Sequence, residues 1–173
     1  MDMRQTGYTL IELMIVIAIA GIILTYVIPG FQNLASHHRV NTAMSKMRTS
    51  IKIARQEASI LHKDVRICAS TDGLFCSGDR DFSSGWIIYV DDSKRPFRTD
   101  TDEILAQYGP IKNISIKYNR GREIKLNEHG RVGLNGSIHF CPKSNSKLAR
   151  KLVVIHSSRI RSSSQDVRCS GSI

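Results

Sequence analysis

The order of apolar and polar residues divides the chain into three parts. The first, residues 8–31, is an almost unbroken apolar run in which Glu12 is the single acidic or basic residue. A helix rises about 1.5 Å per residue, so this run is long enough to cross an apolar layer of about 30 Å. It predicts a transmembrane helix, in which Gly21 and Pro29 are tolerated if such helices pack together.

The second part shows helical periodicity. Beyond Pro29, apolar residues recur at steps of three and four, which places them on one stripe of a helix. The stripe consists of Val40, Ala43, Met44, Met47, Ile51, Ala54, Ala58 and Leu61. We therefore expect the helix to continue to about Leu61 and its second half to pack against a core.

The third part consists of short apolar or alternating runs separated by Gly, Asn, Asp and Ser, a pattern typical of strands. The predicted strands are residues 65–69, 86–90, 111–118, 123–126, 131–134, 138–141 and 152–156. Residues 91–103 are polar and predict an exposed loop, and Asn135-Gly136 predicts a tight hairpin turn. The fold class is α+β, with a long N-terminal helix packed on a C-terminal antiparallel β-sheet head.

Positive charge is concentrated in the last third of the chain. Residues 1–110 carry 12 basic and 12 acidic side chains, whereas residues 111–173 carry 13 and 3, so the whole net charge of +10 lies there. Such an excess indicates an anionic partner, or alternatively a solvated face that aids solubility.

Four cysteines in a chain with the features of an exported protein favour two disulfides. Three pairings are possible, and we favour the bonds between sequence neighbours, Cys68–Cys76 and Cys141–Cys169. The spacing lacks the close pairs of a structural zinc site, so we expect no metal and no cofactor. The histidines show no metal-binding spacing and no serine lies in a nucleophile elbow, so we expect no enzyme.

The start of the apolar run carries a specific motif. Gly7 followed by YTLIELM resembles the prepilin peptidase motif of type IV pilins and type II secretion pseudopilins. The resemblance implies a type IV pilin fold, cleavage between Gly7 and Tyr8, N-methylation of Tyr8, and pairing of Glu12 with the N-terminal amine of an adjacent subunit. The implied organisation is a leader (1–7), a transmembrane and assembly helix (8–31), and an amphipathic helix with a β-rich head (32–173).

The same resemblance implies the partners and the location. Prepilin peptidase processes such a chain, and other major and minor pilins assemble with it. The protein would first cross the bacterial inner membrane once, with its head in the periplasm, and would then lie outside the cell in a pilus.

A second resemblance covers the head. The segments Ile67-Cys68, Gly85-Trp86-Ile87-Ile88-Tyr89-Val90-Asp91, Phe140-Cys141 and Ser158-Arg159-Ile160-Arg161 resemble the GspH/FimT family. In FimT-like minor pilins a Gly-Arg-x-Arg segment is associated with DNA binding in natural transformation. Arg159 and Arg161 align with its arginines, whereas Ser158 replaces its glycine.

The residues themselves also favour a DNA-binding tail. Arg159 and Arg161 alternate as on one face of an extended segment, and a Cys141–Cys169 bond would enclose further basic residues. These are Lys143, Lys147, Arg150, Lys151 and Arg168. We expect contacts to the backbone of double-stranded DNA with little sequence preference. The alternative is a structural minor pilin or a type II secretion pseudopilin that acts in filament priming or assembly.

Overall fold

The computed structural model describes residues 9–95, 97–143, 146–157, 159–167 and 169, with residues 26–30 described by their backbone alone. The chain forms two compact units that divide after Ala35. The first contains the N-terminal part of a long helix. The second, from Ser36 onward, contains the remainder of that helix and all the strands.

The helix, α1, spans Leu10–Leu61. Thr9 caps its first turn, where the threonine hydroxyl accepts a hydrogen bond from the Glu12 amide at 3.4 Å, as helix N-caps do. It ends before His62, which adopts a left-handed φ of 53°, a conformation common just past a helix C-terminus.

The described side chains of residues 9–25, in the first unit, are all exposed. In the part of the chain that the structure describes, no helix is long and apolar enough to cross a membrane. The predicted transmembrane segment includes Tyr8 and the side chains of residues 26–30, which lie outside the described part, so it stays a prediction.

Among the described residues of the second unit, eight strands form two antiparallel four-stranded sheets. The strands are β1 (Val65–Ala69), β2 (Trp86–Val90), β3 (Ile104–Tyr108), β4 (Ile114–Tyr118), β5 (Glu123–Leu126), β6 (Gly136–Pro142), β7 (Arg150–Val154) and β8 (Ile160–Ser163). Sheet 1 has the order β3-β2-β1-β5, and sheet 2 has the order β4-β6-β7-β8. This arrangement confirms the predicted α+β class.

One continuous core joins the second half of α1 to the inner faces of both sheets. The apolar stripe of α1 from Val40 to Ala58 is almost completely buried there. Trp86 of β2 is also buried, and its indole donates a hydrogen bond to the Ser50 hydroxyl of α1 at 2.8 Å. Because burying an indole N–H without a partner is costly, this bond fixes the position of sheet 1 on the helix.

The structure corrects three local predictions. β3 and β8 were not predicted, because both are short, partly exposed edge strands with weak alternation. Residues 131–134 form no strand and contribute one isolated bridge, between Leu126 and Val132. Asn135-Gly136 is not the turn of a hairpin, since the neighbouring strands β5 and β6 belong to different sheets.

The predicted exposed loop, residues 91–103, contains two buried carboxylates, those of Asp91 and Asp102. Asp102 accepts hydrogen bonds from the Ser93 amide at 3.0 Å and from the Thr99 amide at 2.7 Å. Burial raises the pKa of Asp102, but hydrogen bonds from Thr99 and Ser93 outweigh this effect, so the pKa is lowered overall. The loop is therefore organised around the ionised side chain of Asp102, and the prediction that this part of the loop is exposed is wrong.

Candidate nucleic-acid interface

The two arginines predicted to bind DNA lie together on the hairpin that joins β7 to β8. Arg161 lies in β8 and pairs with Val153 of β7. Arg159 precedes β8, and its carbonyl accepts a hydrogen bond from the Ile155 amide at 3.2 Å. Both arginines are exposed. Because β8 is an edge strand, the hairpin presents them at the margin of sheet 2. Ser158 lies outside the described residues.

Three further predicted residues lie at the opposite end of sheet 2. Lys143 follows β6, Lys147 lies in a short 3-10 helix, and Arg150 begins β7. Arg161 pairs with Val153, so about 10 Å of β7 separates it from the level of Arg150. The structure therefore divides the predicted basic set into two groups.

The outer face of sheet 2, away from the core, carries a row of basic side chains. Lys117 of β4 pairs with His139 of β6, which pairs with Lys151 of β7. Lys117 is exposed, Lys151 is half-buried, and His139 is buried between them. Lys151 also donates to the carbonyl of Asp166 at 3.5 Å. Sequence reasoning missed Lys117, because only the strand register shows that it lies on the same face as Lys151, on the other side of His139. Arg168 lies outside the described residues.

Arg120 is a second basic residue that sequence reasoning missed. Its Nε donates to the carbonyl of Asn135 at 3.0 Å, and the side chain of Asn135 accepts a hydrogen bond from the amide of His156. Asn135 therefore connects the segment after β4 to the β7–β8 hairpin. The sequence signal for this contact is Asn135. We predicted a turn there, and its side chain instead accepts a hydrogen bond from the backbone amide of His156.

Two disulfides are present, Cys68–Cys76 and Cys141–Cys169, with Cα–Cα distances of 5.6 and 5.8 Å. They are the bonds between sequence neighbours. Cys141 lies two residues after His139 in β6 and pairs with Ser115, which lies two residues before Lys117 in β4. Side chains two residues apart in a strand share a face, so Cys141 lies on the outer face of sheet 2. The second bond therefore returns the C-terminal segment to the face that carries the basic row.

The charged residues of sheet 1 are arranged differently. Arg66 of β1 contacts Asp91 at 2.6 Å and Glu123 of β5 at 2.8 Å, and the Tyr89 hydroxyl donates to Glu123 at 3.1 Å. The side chain of Asp91 is fully buried. One of its oxygens, Oδ1, has no hydrogen-bond partner among the described residues. These residues form the network that we call the Arg66 cluster.

The Arg66 cluster shifts two pKa values. Burial lowers the pKa of Arg66, but hydrogen bonds and attraction from Glu123 and Asp91 outweigh it, so the pKa is raised overall. Burial raises the pKa of Tyr89, and the negative charge of Glu123 raises it further. The cluster is thus two carboxylates held by one guanidinium and a neutral phenol, and Arg66 is not available to an external anion.

Among the residues that the structure describes, one group of possible metal ligands lies beside this cluster. Ligand atoms of Cys68, Cys76 and Glu123 lie within 4.8 Å of one another. Both sulfurs belong to the Cys68–Cys76 disulfide, so neither can supply the thiolate that a metal requires. The group does not make a metal centre in this oxidised chain.

The predicted processing site lies at the edge of the described chain. Gly7 and Tyr8 are outside the described residues. Glu12 is exposed in the first turn of α1. A carboxylate there is favoured by the partial positive charge of the helix N-terminus.

A long N-terminal helix followed by antiparallel sheets is the arrangement of type IV minor pilins and their secretion counterparts. Residues 43–158 match the family model described as Type II transport protein GspH, and residues 2–28 match the prokaryotic N-terminal methylation motif. The chain therefore belongs to the GspH family of type IV pilin-like proteins.

Known proteins agree with this assignment. A fimbrial protein of Pseudomonas aeruginosa is 39% identical over 119 residues, which cover 65% of this chain and 74% of that protein. The crystal structure of the minor pilin FimU of P. aeruginosa matches with a TM-score of 0.62 at 16% identity, covering 77% of this chain and 95% of that one. The minor pseudopilin EpsH of Vibrio cholerae matches at 0.52 and 8% identity, covering 72% and 95%. At these identities the two structures support the fold alone.

Proposed function

We propose that this protein is a minor type IV pilin whose head binds double-stranded DNA through its phosphates during DNA uptake in natural transformation. The role is one of binding, without catalysis. The observation that carries the proposal is the exposure of Arg159 and Arg161 on one edge hairpin. Within the described chain, no salt bridge involves either arginine.

Among the described residues, no acidic side chain of the last third forms a salt bridge with this hairpin. Glu123 is held by Arg66, and Glu128 lies 3.8 Å from His129. The third acid, Asp166, is exposed, and its carboxylate forms no salt bridge with a described residue. The surface around Arg159 and Arg161 therefore favours a polyanion, whose counterions are released on binding.

The chemistry of the hairpin favours backbone contacts. Residues 157–167 contain five serines and no aromatic residue, so hydroxyl donors are available for phosphate oxygens and no ring of this segment is available to stack on a base. We infer little sequence preference.

The proposal includes processing and assembly. Prepilin peptidase would cleave after Gly7, the new amine of Tyr8 would be methylated, and Glu12 would pair with the amine of an adjacent pilin. The support is the N-terminal methylation motif and the exposed position of Glu12. The chain would reside in the inner membrane before it joins an extracellular pilus.

The test is fluorescence anisotropy of the soluble head, from Phe31 onward, with labelled duplex DNA at several salt concentrations. If about four phosphates are contacted, log affinity falls with log salt at a slope of about −3.6. Arg159→Gln/Arg161→Gln should reduce the slope to about −1.8. The control, Arg48→Gln/Lys52→Gln, removes the same charge from the exposed side of α1.

The matched control separates a local site from total charge. Weaker binding with a shallower salt slope in the hairpin variant, but not in the α1 variant, would support the proposal. No binding by the parent head, or equal binding by all three proteins, would overturn it. The function would then be that of a structural minor pilin or a type II secretion pseudopilin in filament priming or assembly.

A further inference from the structure

An open cleft of about 340 Å³ lies at the end of sheet 2 opposite the β7–β8 hairpin. Its polar lining consists of Ser83 and Ser84 from a short 3-10 helix, Lys112 and Asn113 from the connection before β4, and Lys143 from the end of β6. None of the described residues that line it is acidic. This cleft brings together two lysines that are 31 positions apart in the sequence.

Main-chain hydrogen bonds hold the walls of the cleft in place. The Ile111 amide donates to the Ser83 carbonyl at 2.9 Å, and the Lys143 amide donates to the Asn113 carbonyl at 3.1 Å. Asn113 has a left-handed φ of 62°, a conformation that is uncommon outside glycine. Backbone contacts between three segments therefore hold the walls of the cleft, whereas its charge comes from the exposed side chains of Lys112 and Lys143.

Positive charge in the cleft is not neutralised from within the described chain. Lys112 and Lys143 are both exposed, and neither forms a salt bridge with a described residue. Asp81 is close in sequence to Ser83, but its carboxylate is occupied by internal donors. It accepts hydrogen bonds from the amides of Ser83 and Ile116 at 2.9 and 3.0 Å.

We propose that this cleft is an anion site that binds a dianionic phosphate group, separate from the β7–β8 hairpin. Two ammonium groups match two negative charges, and the hydroxyl of Ser84 can donate to a remaining phosphate oxygen. A single carboxylate would leave one lysine uncompensated. The proposal moves Lys143 from the predicted DNA-binding set to this cleft, where it acts with Lys112 and not with Arg159 and Arg161. It does not depend on DNA binding by the hairpin.

The test uses the full chain in a non-ionic detergent, with inorganic phosphate as the first probe. Calorimetry measures affinity, and the amide NMR signals of Ser84 and Asn113 report the location. We expect saturable binding, with phosphate at least about tenfold tighter than acetate. Lys112→Gln/Lys143→Gln should weaken phosphate by about tenfold or more, whereas Lys112→Arg/Lys143→Arg should retain it.

Two further measurements make the proposal specific. The variant Arg159→Gln/Arg161→Gln should bind phosphate like the parent chain, which separates this site from the hairpin. A nucleoside monophosphate that competes with inorganic phosphate would identify a phosphate ester as a ligand, and binding of inorganic phosphate alone would identify the free ion.

Any of three results would overturn the proposal: no saturable phosphate binding, equal affinity for acetate and phosphate, or NMR shifts confined to the hairpin. Unchanged phosphate affinity in a folded Lys112→Gln/Lys143→Gln variant would do the same. Because both lysines are exposed, we expect that variant to fold.

Discussion

The outer faces of the two sheets use charged residues in opposite ways. In sheet 1, Arg66 contacts Asp91 at 2.6 Å and Glu123 at 2.8 Å, and all three side chains are largely buried. In sheet 2, Lys151 is half-buried and Arg161 is exposed, and neither forms a salt bridge with a described residue. The charged side chains of the Arg66 cluster therefore stabilise the fold of sheet 1, whereas Arg161 of sheet 2 lies at the accessible surface.

The coverage of the two faces explains this difference. Residues 70–80 fold over sheet 1, where Cys76 packs on a buried group formed by Cys68, Ile87 and Tyr89. Arg98 of the next loop donates to the Leu74 carbonyl at 2.9 Å and lies over the ring of Phe75. Charges beneath such a cover must be paired, whereas the exposed charges of sheet 2, such as Arg161, keep their hydration.

The largest effect should follow from breaking the Arg66 cluster. Arg66→Leu leaves Asp91 buried without its cation, and we expect a loss of about 3 to 5 kcal/mol in the free energy of unfolding. Denaturation with urea, followed by circular dichroism, measures it.

Lys63→Gln is the matched control, because it breaks an exposed ion pair with Asp92 of similar length, 2.8 Å. We expect it to cost about 0.2 to 1 kcal/mol. Equal losses in the two variants would contradict the view that the charges of sheet 1 are structural.

The two disulfides should have similar effects on stability but different effects on DNA binding. In the chain-entropy model, the bonds with sequence separations of 8 and 28 residues contribute roughly 2.6 and 3.6 kcal/mol. Cys141→Ser/Cys169→Ser should also weaken DNA binding, because the C-terminal segment then leaves the outer face of sheet 2.

Cys68→Ser/Cys76→Ser controls for the loss of stability, and it should bind DNA like the parent head. Anisotropy is measured at a temperature where circular dichroism shows that both variants are folded. The same DNA affinity in both variants would show that the second bond has no role in displaying the basic residues.

A smaller and pH-dependent effect should come from Asp102 in the loop over sheet 1. Its pKa is lowered in the folded state, so its contribution is present above the unfolded pKa of about 3.9 and is lost as the pH falls below it. Asp102→Asn should cost about 1 to 3 kcal/mol near neutral pH.

The difference between Asp102→Asn and the parent chain should shrink below a pH of about 4. Urea denaturation of both proteins across this range measures it. A constant difference down to a pH of about 2 would show that the ionised carboxylate does not organise the loop.

The fold and the family could be predicted from the sequence, but only part of the candidate interface could. Periodicity located α1, and strands β1, β2 and β5 match their predicted limits, because their apolar runs are buried and end at polar residues. The edge strands β3 and β8 lack such a pattern. The grouping of Lys112 with Lys143, and of Lys117 with Lys151, depends on strand register and loop contacts between distant segments.

The smallest effect should come from Lys151, on the outer face of sheet 2. Its contact to the Asp166 carbonyl is long, 3.5 Å, so Lys151→Gln should change the free energy of unfolding by no more than about 0.5 kcal/mol. If Lys151 meets one phosphate, the salt slope of DNA binding should decrease in size by about 0.9. The same urea and anisotropy measurements test both statements. A destabilisation as large as that of Arg66→Leu would mean that charges on sheet 2 are structural too, and the contrast between the sheets would then be wrong.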